Sequence, residues 1–179
     1  MTLESLLSQK RVGILKKWLN LMFESYPPET SRFLKREKDR FDNPVAYEFR
    51  QGIEGIYEAL LSGMDTDRLF PFLDQVIRIR AVQDISPSQA IAFVFLLKKV
   101  IRDELEKEAW GNGVAEDLLE LESRIDGLAL LSFDVYMKRR EIFYQLRVDE
   151  VKRRVGALLR RTGLIAELEE GPNLKEKKH

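Results

Sequence analysis

The longest apolar run in the chain is Ala90-Ile91-Ala92-Phe93-Val94-Phe95-Leu96-Leu97, eight residues without a polar interruption. A helix with no polar face for two turns is buried on every side, so this stretch predicts a rod through the middle of a domain with other helices packed around it. Its start is spelled out by Ser86-Pro87-Ser88-Gln89. Ser86 takes the N-cap, Pro87 the first turn and Gln89 the N3 position, from which it can return a bond to the Ser86 N–H. A cap of this kind contributes about 1 kcal/mol.

Helical spacing also governs the rest of the first half. Leu3, Leu6, Leu7, Ile14, Leu15, Trp18, Leu21 and Met22 fall mostly at helical spacing, with Thr2 as a cap, Gly13 as the break between a short leading helix and a longer one, and Pro27-Pro28 as the stop. PPETSRFLKREKDRF reads as a short helix with proline in its first turn. Asn43-Pro44 opens another, whose face is Val45, Phe49, Ile53, Ile56, Tyr57, Leu60 and Leu61 and whose stop is Gly63. Asp65 or Thr66 begins the next, with Leu69, Phe72, Leu73, Val76, Ile77 and Arg80 inside it. Pro71 removes one backbone donor there and predicts a kink or a late start.

After Trp110-Gly111-Asn112-Gly113 there is no proline from Val114 to Thr162, and only Gly127 and Gly156 interrupt the helical rhythm. A continuous helix of that length would span roughly 70 Å at 1.5 Å per residue. That exceeds the width of one domain, so its far end must protrude, pair with another chain or bend back. Tyr144, Val148, Val151, Val155, Leu158, Thr162 and Ile165 step alternately by four and three, a narrow heptad-like seam. Two readings stay open: a frayed amphipathic end lying on its own domain, or a helix that faces a partner. With no strand alternation and no repeat, six or seven helices crossing at angles make an all-α fold with a central buried helix and a long C-terminal helix.

Composition narrows the chemistry. The chain has 179 residues, 44% hydrophobic and 34% charged, a formal net charge of zero, no cysteine and one histidine, His179, at its last position. Without a second histidine or any thiol, Ser-His-Asp catalysis, histidine acid–base work, histidine-containing metal sites and a histidine-ligated haem are excluded within the fold. No glycine-rich phosphate loop or calcium loop is present, so no cofactor is expected. Zero net charge gives no general attraction to nucleic acid. The N-terminus lacks the apolar core of a signal peptide and no window reaches membrane-spanning length, so a cytoplasmic protein without membrane insertion is expected.

Three constellations remain. Arg78, Arg80 and Gln83 sit in the last turns before Ser86. They can complement the negative end of a helix and satisfy its free carbonyls. Alternatively, a guanidinium against the buried helix forms a ligand or carboxylate pocket, because a buried arginine needs a partner. Residues 103–126, with nine acids against two bases, could supply one. Residues 147–161 hold six bases and two acids, a solvated face in one reading and a phosphate-tracking helix in the other, though without base-reading residues beside it. Phe133, Tyr136, Phe143 and Tyr144 read as core plus interface, and nothing pairs Asp134 or Glu141 for chemistry.

IRIRAVQDISPSQAIAFVFLLKKVI (77–101), DRFDNPV ending at Val45, SRIDGLALLSFDVYMKRREIFYQLRVDEVKRR (123–154) and the early tryptophan helix resemble the N-terminal domain of the RsbR and RsbRD proteins, co-antagonists of the RsbT kinase in stressosomes. The resemblance covers about residues 3 to 160. It implies a globin-like fold that binds no haem and dimerises, expected over residues 1–148, followed by a helical extension at 149–168 and a disordered tail at 169–179. In the family the last helix leads toward a STAS domain. Val151 to Ile165 occupies that place, with Thr162 the counterpart of phosphorylated linker positions, and the chain is expected to stand alone without a STAS domain.

The function expected from the resemblance is a non-catalytic regulatory or sensory domain. It would act as a homodimer through helix contacts and meet a protein partner such as a STAS-domain protein, a kinase or a metabolic complex. The alternative is a scaffold or accessory subunit of a cytoplasmic or membrane-peripheral redox or signalling complex. Arg78, Arg80, Gln83, Ser86 and Gln89 are the candidate signal-coupling residues, at the corner that feeds the central helix. Tyr144, Val148, Val151, Val155 and Leu158 are the candidate dimer or partner contacts.

Overall fold

The structure, a computed structural model, describes residues 2–36, 41–83, 85–106 and 112–161. These form seven helices and no strand: α1 (Leu3–Gln9), α2 (Arg11–Glu24), α3 (Pro28–Arg36), α4 (Pro44–Leu61), α5 (Thr66–Ala81), α6 (Pro87–Leu105) and α7 (Asn112–Arg161). The chain divides into two compact units, Met1–Arg140 and Glu141–His179.

The first unit is all-α, and local chemistry sets most of its helix ends. The Thr2 hydroxyl accepts from Ser5 N at 3.2 Å and starts α1. The break before α2 falls at Lys10, whose N–H still bonds to Leu6 O, and Gly13 lies inside α2 rather than at the break. Asn43, fully buried, caps α4 by accepting from Ala46 N at 3.0 Å and donates to Phe33 O at 3.0 Å, tying α3 to α4. Gly63 ends α4 with a left-handed φ of +99°. Asp65 caps α5 through Asp67 N, and the helix runs through Pro71 instead of starting late. Six residues past the N-cap, Pro71 lacks the N–H that would have bonded the carbonyl of Asp67, and α5 continues through it.

The core gathers Trp18 and Met22 from α2, Phe49, Ile53, Ile56 and Tyr57 from α4, Val76 and Ile77 from α5, Phe93, Val94 and Leu97 from α6, and Ile125 and Leu128 from α7. Helices α4 and α5 approach closely at two glycines. A Cβ on Gly52 would lie 2.4 Å from Val76 Cγ2, and one on Gly55 would lie 2.2 Å from the Phe72 ring. Any side chain at either position would hold the two backbones apart.

Helix α6 departs from the all-round burial expected of it. Ala90, Phe93, Val94, Leu97, Val100 and Ile101 are buried, but Ala92 and Lys99 are exposed and Phe95 is 47% exposed. The helix packs against α2 and α5. It is pinned to α7 by Lys98 Nζ–Asp126 Oδ1 at 2.6 Å and Arg102–Glu122, whose Nε–Oε1 distance is 2.6 Å. Among the described residues, those neighbours leave Ala92 and Phe95 of α6 exposed. No helix among the described residues is long and apolar enough to cross a membrane.

Of the second unit, residues up to Arg161 are described, as helix. Arg154 Nη2 meets Glu150 Oε1 at 2.5 Å one turn away, and the Arg147 guanidinium lies 4.8 Å from the Phe143 ring centre. Tyr144, Val148, Val151, Val155 and Leu158 are all exposed. Thr162, Ile165 and residues 169–179, together with the end of the 149–168 extension, lie outside the described residues.

Candidate functional site

The corner between α5 and α6 is built around Arg80. It lies on the core face of α5, four residues after Val76 and three after Ile77, and is 2% exposed. A guanidinium at such a place must find acceptors within the fold. Nε donates to Ala90 O at 2.8 Å, Nη2 to Gln89 O at 2.9 Å and Nη1 to the Tyr26 hydroxyl at 2.9 Å. Its Cζ also sits 5.0 Å from the Tyr26 ring centre and 5.8 Å from that of Phe93. These partners are all neutral. Burial pulls the Arg80 pKa below the usual guanidinium range, with Tyr26 pulling the other way. Burial likewise raises the Tyr26 phenol, opposed by Arg80 and by the Gln83 bond.

The other residues extend this clamp. Tyr26 donates its hydroxyl hydrogen to Gln83 Oε1 at 3.0 Å. Ser86 and Gln89 form the expected capping box: Gln89 N donates to Ser86 Oγ at 3.2 Å and Ser86 N to Gln89 Oε1 at 3.0 Å. Arg78 stands apart. It is turned toward α4, with Nη2 3.2 Å from Glu48 Oε2 in an exposed pair. So Arg80, Gln83, Ser86 and Gln89 converge on the start of α6 and Arg78 does not.

Arg78 and Arg80 lie in the last turn of α5, beside its negative end, but the bonds of Arg80 go across the corner. Arg80 satisfies carbonyls, but they belong to the first turn of α6, across the corner, and not to its own helix end. Its partners among the described residues are those carbonyls and Tyr26, with no acid from the described part of 103–126. The acids there serve other cations, Glu122 with Arg102 and Asp126 with Lys98. Glu122 is almost buried, and its hydrogen bonds from Arg102 hold its carboxyl below the ordinary range.

Four further residues complete the site. Arg140 Nη1 donates to Ala81 O at 3.0 Å and Gln83 O at 3.3 Å, satisfying the end of α5 from α7. Tyr136, 1% exposed, donates to Ile85 O at 3.3 Å. Trp18 Nε1 donates to Phe93 O at 2.6 Å, and its ring stacks on Phe93 with centroids 6.2 Å apart. Tyr26 is the fourth. Trp18 and Met22 step by four along α2, and Tyr26, four residues on, lies just past the end of that helix. The partners of Arg140 and Tyr136 come from residues more than 50 positions away, and no local pattern announces them.

Chemically the corner is a clamp: one buried cation, neutral acceptors and aromatic faces, joining α2, α5, α6 and α7. No group of three potential metal-ligating side chains occurs among the described residues. Two comparisons, with curated proteins and with solved structures, return no match. A family model does match, over residues 13–151, and its description is the RsbT co-antagonist protein rsbRD N-terminal domain. The match spans most of the chain, including the whole corner, and this chain belongs to the RsbRD N-terminal domain family.

Proposed function

We propose that this chain is a non-catalytic regulatory input domain of the stressosome type, acting in the cytoplasm through protein–protein contacts that include a homodimer. Family membership supports the regulatory role. One observation supports the contacts: the face of α6 left uncovered. The α6–α7 ion pairs run Lys98 to Asp126 and Arg102 to Glu122, an antiparallel register that sets exposed Phe95 near the height of Leu130. Leu130, Phe133 and Met137, at steps of three and four, are 73%, 42% and 47% exposed. Exposed apolar side chains in this register on a small domain support an interaction surface.

The Arg80 corner supplies the coupling. Arg80, whose acceptors among the described residues are neutral, ties the start of α6 to α2 and α5, while Arg140 and Tyr136 tie the same corner to α7. A partner bound at the uncovered face acts on this corner when two packings differ in partner affinity. Affinity purification of the full chain from its native cell tests the role. A STAS-domain protein or a kinase is the expected companion. Recovery with a metabolic complex instead would contradict the regulatory reading and favour an accessory subunit.

A further inference from the structure

The second unit presents a seam whose flanks carry one sign of charge. Val148, Val151 and Val155 are 45%, 58% and 46% exposed, in register with Tyr144 and Leu158. In heptad terms Val148 and Val155 are a positions and Val151 and Leu158 are d positions. The residues preceding each a position are Arg147 and Arg154, and Arg161 follows one heptad later. Those after each d position are Gln145, Lys152 and Leu159. Neither flank holds an acid. Asp149 and Glu150 fall at b and c, away from the seam, and Glu150 pairs with Arg154 in an exposed contact that water screens.

Flanking charges choose the partner of such a seam. Two copies in parallel would set Arg147 against Lys152 and Arg154 against Leu159. Two antiparallel copies would set arginine against arginine. Neither orientation gives a flank cation an acid. We infer that the helix from Tyr144 to Arg161 takes as its partner an amphipathic helix of another protein, with an apolar seam and Asp or Glu along both flanks, in preference to a second copy of itself. This rests on the reading that the chain works through helix contacts, and it assigns the homodimer to the α6 and α7 surface of the first unit. The net charge of the whole chain is zero, so discrimination at the seam is local.

The test uses the full chain and two synthetic 21-residue peptides with valine at a and leucine at d, one with Glu and one with Lys at every e and g position. Fluorescence anisotropy at about 150 mM salt reads binding, a condition that screens distant charges. The Glu peptide should bind at least about tenfold more tightly than the Lys peptide, a difference on the scale set by a few flanking pairs. Arg147→Glu with Arg154→Glu should reverse the order. Val151→Asp with Val155→Asp should abolish binding. These side chains are exposed, so the variants leave the fold intact. Equal binding of both peptides, no binding of either, or equal binding of a seamless polyglutamate would overturn the inference. If the valine variant still binds the Glu peptide, the seam itself is not a contact surface and the broader reading of this helix fails. If that variant abolishes binding while the two peptides bind alike, only the charge selection fails.

Discussion

Arg80 on α5 donates its Nε hydrogen to the carbonyl oxygen of Ala90 on α6 at 2.8 Å, so a buried cation from one helix is anchored in the first turn of the next. The Nη2 bond to Gln89 O and the Nη1 bond to Tyr26 complete the anchor with neutral groups. Removing it should cost more than an exposed ion pair, because three hydrogen bonds and two aromatic contacts go together. Arg80→Ala is expected to lower unfolding free energy by about 2–4 kcal/mol, and Arg80→Lys, which keeps the charge but not the fork, by roughly half as much. Urea denaturation followed by circular dichroism measures both.

Close approach of α4 and α5 gives a sharper steric prediction. Gly55→Ala should destabilise by about 1–3 kcal/mol, since its Cβ would enter the Phe72 ring. Gly127→Ala in α7 meets only Met64 Cε, at an ordinary 3.4 Å. That change should leave stability level or raise it by up to about 1 kcal/mol, the helix-propensity gain. Opposite signs in thermal melts check the pair.

The capping box at the entrance to α6 should behave as an independent unit. Ser86→Ala removes the acceptor for Gln89 N and is expected to cost about 1 kcal/mol. Ser88→Ala, two residues on and exposed, gives up only a hydroxyl contact with Ser86 Oγ at 3.0 Å, keeps the Gln89 N bond and should change stability by less than about 0.5 kcal/mol.

Glu122 fixes an acid limb. Its folded pKa is depressed, chiefly by hydrogen bonds from Arg102, so the stability it contributes is complete above the ordinary glutamate value of 4.5 and is lost as pH falls through its lower folded value. Glu122→Gln should therefore be less stable than the parent at pH 7, and the gap should close as pH drops below about 4. Denaturation midpoints across pH 3 to about 7 read this directly; a gap that stays constant would mean the Arg102–Glu122 pair contributes nothing through its charge.

Particular residues show how much of this was legible in the sequence. The Ser86–Gln89 box is local chemistry, and it stands as the spacing predicts. The helix order follows from steps of three and four, and the family resemblance is matched over residues 13–151. The surroundings of α6 were less legible. Eight apolar residues in a row look alike whether a face meets the core or awaits a partner, so Phe95 was read as buried although it is 47% exposed. The partners of Arg80 were illegible for a different reason. Composition suggests that a cation seeks an acid, whereas backbone carbonyls, present in every sequence and visible in none, take that place here. Arg140 and Tyr136 reach their acceptors only because the fold brings α7 against the corner.

Sedimentation of the full chain tests the central claim, contact through the uncovered α6 and α7 face, most directly. The 20.9 kDa chain should sediment as a dimer, and Phe95→Asp with Phe133→Asp should reduce it to a single chain with its helical content and melting temperature unchanged. A parent chain that remains monomeric up to about 100 µM, or a double variant that dimerises as the parent does, would contradict the account.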